Sequence, residues 1–377
     1  MKISFAVVNG LALLAALVSP VLAKSKFPYC TGSTYGITHK NCAKFKFDTL
    51  HSNCVETSNC TTFYDITKLP TEKIDAHTER MAQLITNVFE NGNTVMGYAY
   101  VEALGDGRGY TSGYIGFTSG TNDALTVIKQ YTKRKPKNGL TKYVPELTRL
   151  SKLKFCDRHR NDTKKLSGYP AAWTKTACSD PNFVQTQLDV GFAMYLAPAL
   201  KYAASVQVKS NLGKAIFYGI NNDLFTKPRC KRELANAINF FTILDTIINH
   251  GWQYVEPLIN LPRILQLTGP RKHNESEKSF LNRFLVTRRQ LMCCFPDDVW
   301  PPAADRVADL QRLVSSWSRN KDLKHPVTLK IYGVTVKGTE DLSFDKAECP
   351  KKPKGWKLPK AKTLPIPDTC PNKLLSL

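Results

Sequence analysis

No two cysteines in this chain stand in a C-x-x-C pair. Structural zinc is commonly held by such pairs, so their absence argues against a zinc ribbon. After the first residues no segment is apolar for the roughly 20 consecutive positions that a bilayer span takes, so no transmembrane anchor is expected. Arginines and aromatics do not interleave as they do in single-strand binders, and nucleic acid is not an expected partner. No internal repeat is present. Acidic residues are scarce, 31 against 53 lysines and arginines, for a formal net charge of +22. That excess favours polyanions, and contact with a cell wall through basic surface is one expectation.

What is present is a chain of 377 residues, enough for one large domain or two modest ones. Residues 1–23 run from Lys2 through "FAVVNGLALLAALV" to "SPVLA", with small residues at Val21 and Ala23. This is the pattern of a secretory signal cleaved after Ala23, and the protein is expected to be extracellular. Eleven cysteines fit an oxidising destination and structural disulfides. Their odd number leaves at least one thiol unpaired or intermolecular. Glycosylation acceptors stand at Asn59, Asn161 and Asn274.

Residues 24–70 are rich in Cys, Thr and Lys and read as a small stapled extension. Residues 71–338 carry the periodic segments. Residues 339–377 form a Lys- and Pro-rich tail, expected to be extended and looped by Cys349 with Cys370. In "DAHTERMAQLITNVFE" Met81, Leu84, Ile85, Val88 and Phe89 share one helical face. "NGN" should end that helix and leave Glu90 at its C-terminus. "GYTSGYIGFTSG" alternates large apolar with small residues and reads as a small hairpin-like sheet. A helix follows in "NDALTVIKQY", with Asn122 as its cap. Further helices are expected at about 183–206, 231–250, 277–292 and 304–318.

Glu90 and Asp106 flank the glycine-rich stretch. A carboxyl at a helix C-terminus, partly buried beside Phe89, is disfavoured in its charged form and suits a general acid. An acid in "GDGRGYT" keeps solvent access and suits a general base. On spacing alone, two unrelated surface acids remain the commoner reading.

The run "FENGNTVMGYAYVEALGDGRGYTSGYIGFTSGTNDAL" resembles the catalytic segment of glycoside hydrolase family 46, the endo-acting chitosanases. The resemblance continues through "YTKRKPKNGLTKYVPELTRL", "LDTIINHG" and "FLNRFLVTRR" and covers, with gaps, about residues 72–338. It implies a mainly α, lysozyme-like α+β fold of two lobes, with a substrate cleft and a small β-sheet. It implies inverting hydrolysis of β-1,4-linked glucosamine polymers without metal or organic cofactor. Glu90 matches the general acid, Asp106 the general base and Thr111 the threonine that holds the attacking water. Asp123 matches a sugar-binding acid, and Glu102 and Arg108 lie between these as candidate cleft residues. Asp245, Arg288 and Arg306 match an ion network behind the cleft, with Arg289 an alternative partner, and His250 matches a family histidine. Tyr110 reads as core rather than ligand-facing.

Three departures stand beside the match. The segment after His250 carries only Glu256 where the family is acidic, residues 216–233 look inserted, and the strong positive charge suits a cationic polymer poorly. The expected partner is chitosan or partially acetylated chitosan, acted on by a monomer. The alternatives are a non-cutting amino-sugar polymer binder and a lysozyme-type hydrolase of another wall polysaccharide.

Overall fold

The computed structural model describes residues 27–30, 37–45, 66–105, 107–153, 157–218, 259–296 and 300–366. The expected leader, Asp106, Asp245, His250, Glu256 and the helix expected at 231–250 lie outside the described residues. Where described, the chain is mostly helical with a small antiparallel sheet, as expected.

A short helix, α1 (His39–Ala43), precedes the long α2 (Ala76–Asn91). Asp75 starts α2 by accepting from the Thr78 backbone N–H and hydroxyl. Met81, Leu84, Ile85, Val88 and Phe89 are all buried, so the predicted stripe is the packed face. Gly92, at φ 68°, supplies the left-handed cap that ends the helix. Strands β1 (Val101–Ala103), β2 (Tyr110–Ser112) and β3 (Phe117–Thr118) form an antiparallel sheet in that order. Its register aligns Glu102 with Thr111 and Thr111 with Thr118.

Then come α3 (Asp123–Arg134), α4 (Val144–Ser151), α5 (Tyr169–Ser179) and α6 (Pro181–Gly191). The helix expected at 183–206 is instead α6 joined to α7 (Ala197–Ser205) through a wider turn over Phe192–Leu196. Pro198 accounts for the widening, because it offers no N–H to the carbonyl one turn back. Next are α8 (Asn211–Tyr218), α9 (Leu261–Thr268), α10 (Glu277–Cys294) and α11 (Ala304–Ser315). The segment expected to be helical to 318 breaks at Ser316, where ψ is 46°, and restarts as α12 (Trp317–Asn320). A hairpin of β4 (Val327–Leu329) and β5 (Val334–Val336) closes the series.

The sheet rests on aromatic packing. Fully buried Trp173 of α5 lies 6.4 Å from Phe117 and 4.8 Å from Phe183, ring centre to centre. Its Nε1 donates to the Tyr98 carbonyl, which Gln187 of α6 also reaches. The chain entering β1 is therefore fixed from two helices.

Both described cysteines of the extension are stapled to the body. Cys30 pairs with Cys293 and Cys42 with Cys294, at the end of α10. Arg289 donates to the Tyr29 carbonyl and Lys44 to Gln290 alongside. Arg289, offered as a partner for Asp245, thus turns towards the extension. The expected Cys349–Cys370 loop is corrected: Cys349 pairs with Cys178 of α5. The physical reason is docking, since the tail packs on the body and brings Cys349 beside α5. Tyr98 Oη donates to the Leu342 carbonyl, the Ala99 N–H to Asp345, and the rings of Phe344 and Trp356 meet at 5.1 Å. Closing a loop of 171 residues is worth about 5 kcal/mol in the chain-entropy model. Among the described residues no helix is long and apolar enough to cross a membrane.

Candidate active site

Glu90 occupies the last turn of α2 and is half-buried. The preceding residue is clamped from two sides. The Arg306 guanidinium lies 5.4 Å from the centre of the Phe89 ring, and its Nη2 donates to the Phe89 carbonyl at 3.3 Å. A cation there also satisfies the negative end of the helix. The Tyr332 ring meets Phe89 edge-on at 5.3 Å. The Tyr332 hydroxyl donates to the Asp305 carboxylate at 3.3 and 3.4 Å. Asp305 in turn accepts from the Arg306 backbone N–H at 2.5 Å.

Burial dominates the electrostatics of this cluster. It pushes Arg306 down to about 10, with Tyr332, Glu90 and Asp305 opposing the shift, so Arg306 remains a cation at neutral pH. Burial, then repulsion from Arg306, holds Arg288 well below the usual arginine range. Burial also raises Asp305, against the pull of Arg306, and raises the Tyr332 phenol so that it stays protonated. Glu90 therefore looks onto Arg306, whose charge is costly to bury and which it helps to neutralise.

Tyr332 reaches this place from the β4–β5 turn. Asp309 of α11 accepts from the Lys330 and Ile331 backbone N–H groups at 3.0 and 2.9 Å. Asp305 and Asp309 lie one turn apart on α11, so one helix face grips both the hairpin tip and the Tyr332 side chain.

The second group of candidates is carried by the sheet. Thr111 is central in β2 and buried, with Glu102 beside it in β1. Glu102 is exposed and accepts from the Tyr100 hydroxyl at 2.7 Å. The β1–β2 loop bends at Gly105, Gly107 and Gly109, all at positive φ. It is anchored by the Gly120 N–H donating to the Arg108 carbonyl at 2.8 Å. A Cβ at Gly120 would sit 2.8 Å from that carbonyl oxygen and 2.9 Å from that of Arg160, so only glycine fits.

Asp123 opens α3 and is 3% exposed. Its Oδ1 accepts from the Thr118 N–H, the Thr121 hydroxyl and the Ala124 N–H. Burial raises its carboxyl to about 6 against those bonds and the charge of Arg108, itself buried. The capping role expected of Asn122 is corrected here. Asn122 lies at φ 79° with no side-chain cap bond, and its Oδ1 accepts from Arg160. The residue after it does the tying. The Tyr110 ring stacks on buried Tyr169 at 5.6 Å, in keeping with its reading as core.

The structure thus joins Arg306 to Glu90 and Arg288 to Arg306, joins Glu102 to Thr111, and joins Arg108 to Asp123. Asp305, Asp309 and Tyr332 escaped the sequence reading. Asp305 adjoins Arg306 in "DRVAD" and was the one legible signal. Among the described residues no three His, Cys, Asp or Glu side chains are grouped to hold a metal. A cavity of about 410 Å³ lies between α2, α6 and the tail, lined by Glu79, Gln83, Gln185 and Asp189. Glu79 is three helical turns from Glu90, about 16 Å along the axis, so this cavity is separate from the candidate site.

The model of glycosyl hydrolase family 46 matches residues 84–222, which include Glu90, Glu102, Asp106, Arg108, Thr111 and Asp123. A chitosanase of Bacillus subtilis (strain 168) is 44% identical over 229 residues, covering 60% of this chain and 68% of that protein. Among solved structures, the native chitosanase of Bacillus subtilis MY002 superposes with a TM-score of 0.55 at 32% identity. That match covers 70% of this chain and all of the other. A mutant chitosanase of the same organism complexed with 6 GlcN units gives 0.54 at 30% identity, covering 70% of this chain and 99% of that one.

Proposed function

The chain belongs to glycosyl hydrolase family 46, and from that we propose that it is a secreted, inverting endo-chitosanase acting on β-1,4 bonds between glucosamine units. The observation that carries this is the fixed end of α2. There Glu90, inside the matched segment, faces the buried Arg306 with its helix turn clamped. A general acid must be held at one point on the substrate, and that turn has little freedom.

In this reading Glu90 gives its proton to the oxygen linking two sugars as the bond from that oxygen to the anomeric carbon breaks. A water, held by Thr111, attacks the same carbon from the opposite face and passes a proton to Asp106. One bond forms and one breaks in a single displacement, so the new hemiacetal has inverted configuration. Asp123 offers its second carboxylate oxygen, and Glu102 its free edge, to glucosamine ammonium groups, with Arg108 setting the charge on Asp123. Arg288 and Arg306, with Asp245, hold the acid from behind. The complex of the similar chitosanase with 6 GlcN units supports a cleft for a polymer rather than a small sugar. The cysteine pairs fit a secreted enzyme.

The net charge favours one rival, a hydrolase of an anionic wall polymer. Reducing-end release separates the two. Highly deacetylated chitosan should be cut into short oligomers by the full chain, and peptidoglycan left largely intact. Asp106→Asn should abolish the release. Faster release from peptidoglycan than from chitosan would refute the proposal, and polymer binding without cleavage would show a non-catalytic binder.

A further inference from the structure

The described part of the tail is rich in lysine. Between residues 346 and 362 stand Lys346, Lys351, Lys352, Lys354, Lys357, Lys360 and Lys362, all exposed, against one exposed acid, Glu348. This segment has no helix or strand, yet it is fixed on the body as a strap. Cys349 is bonded to Cys178, and Trp356 Nε1 donates to the Ser343 carbonyl at 2.8 Å. A turn closes from the Trp356 N–H to the Pro353 carbonyl, and the Lys362 N–H donates to buried Asp189 at 3.1 Å. Only Lys352 of the seven is tied to an acid among the described residues, pairing with Asp341 at 2.9 Å.

Fixing such a row has an electrostatic cost. Like charges on a mobile tail can spread apart, whereas charges on a bonded strap are held together. Four of the lysines, Lys351, Lys354, Lys357 and Lys360, recur every third residue. Outside the turn at Pro353–Trp356, three residues of extended backbone advance the chain by about 9 Å, close to the Debye length in dilute salt. The strap therefore presents spaced positive charges that reinforce one another without collapsing onto a single point.

The strap cannot serve the proposed substrate, because protonated glucosamine polymer is itself cationic. Nor does its composition suit nucleic acid. It has no arginine for bidentate phosphate contact, and its one aromatic, Trp356, is packed on Phe344 and unavailable for base stacking. Lysines alone act as point charges and fit a flexible polymer with repeated carboxylates.

The geometry points to residues 346–362 as a docking strip for an acidic, carboxylate-bearing polysaccharide, distinct from the hydrolytic site. The strip would hold the enzyme on a mixed matrix by its acidic component while the cleft works on the cationic one. It also places part of the unexplained positive charge in one functional surface.

The test uses the full chain and immobilised polygalacturonate over a salt series. The variant Lys351→Gln/Lys354→Gln/Lys357→Gln/Lys360→Gln is compared with a control of equal charge. That control is Lys152→Gln/Lys165→Gln/Lys272→Gln/Lys324→Gln, all four exposed and outside residues 346–362. The strap variant should lose at least 10-fold in affinity at 50 mM salt, and its log–log salt slope should fall by roughly 3. The control should lose less than about 3-fold. Both should keep chitosan hydrolysis, which certifies their folding. Equal losses in the two variants would reduce the effect to net charge and overturn the proposal. So would absence of wild-type binding, or tighter strap-dependent binding of single-stranded DNA than of polygalacturonate.

Discussion

Around Glu90 the candidate groups are held by side chains; around Thr111 they are held by backbone. At the end of α2, Arg306, the Tyr332 ring and the Asp305 carboxylate of α11 hold one helical turn. At the sheet, glycines at positive φ and carbonyl-to-N–H contacts shape the loop, and Asp123 ties three local groups. The first region is stiff because charges buried together tolerate few arrangements. The second is shaped by glycine, because its loop turns at positive φ and a Cβ at Gly120 would meet two carbonyl oxygens. An acid that must stay in register with a bond gains from the first kind of support. A loop that must approach a sugar closely gains from the second. Charge-changing substitutions should therefore damage the α2 end most, and volume-changing ones the sheet.

The largest expected effect is on rate. Glu90→Gln keeps shape and removes the proton, and should lower chitosan hydrolysis by 10²- to 10⁴-fold. Next, Arg306→Ala should destabilise the fold by about 3–5 kcal/mol in urea titration, because it leaves the half-buried carboxylates of Glu90 and Asp305 facing a cavity. A near-neutral result there would break the comparison at its charged end.

Asp123 gives a pH-dependent test of the sheet end. Its carboxyl is raised to about 6 in the fold, mainly by burial, against roughly 3.9 in the unfolded chain. Between those values the native state holds the extra proton. Its contribution to stability is thus full below about pH 4 and is lost as pH rises through 6. Asp123→Asn should remove up to about 3 kcal/mol of that decline in stability curves from pH 4 to 7.5. Gly120→Ala tests the backbone argument directly and should cost roughly 1–3 kcal/mol, since its Cβ would press on two carbonyl oxygens. Smallest is Tyr332→Phe. It removes one hydrogen bond to Asp305 and should cost about 1 kcal/mol of stability. It should also move the alkaline limb of the pH–rate profile, because Tyr332 and Arg306 share the field at Glu90. An unchanged profile would confine Tyr332 to packing.

These regions were not equally legible in the sequence. Helix α2 could be read because its stripe and its Gly92 stop are local signals, and Glu90 followed from them. The sheet was visible in its alternation, although its register came only from pairing. Tyr332 was invisible, because a hairpin more than 240 residues away delivers it and the grip of Asp309 decides where it points. Cys349 was assigned the wrong partner for a similar reason. Chain proximity suggested Cys370, whereas docking of the tail on α5 put Cys178 in reach. The turn at 192–196 has a signal, Pro198, which a period count over the apolar residues passes over. The family resemblance, in contrast, was carried by local runs around Glu90, Asp106 and Thr111, and those runs are where the family model matches.

The most direct test of the account is the configuration of the first product. Hydrolysis of highly deacetylated chitosan by the full chain, followed by proton NMR within the first minutes, reports the anomer before it equilibrates. The account predicts the α-anomer, absent with Glu90→Gln. An initial β-anomer would mean retention through a covalent intermediate and would contradict the roles given to Glu90, Asp106 and Thr111.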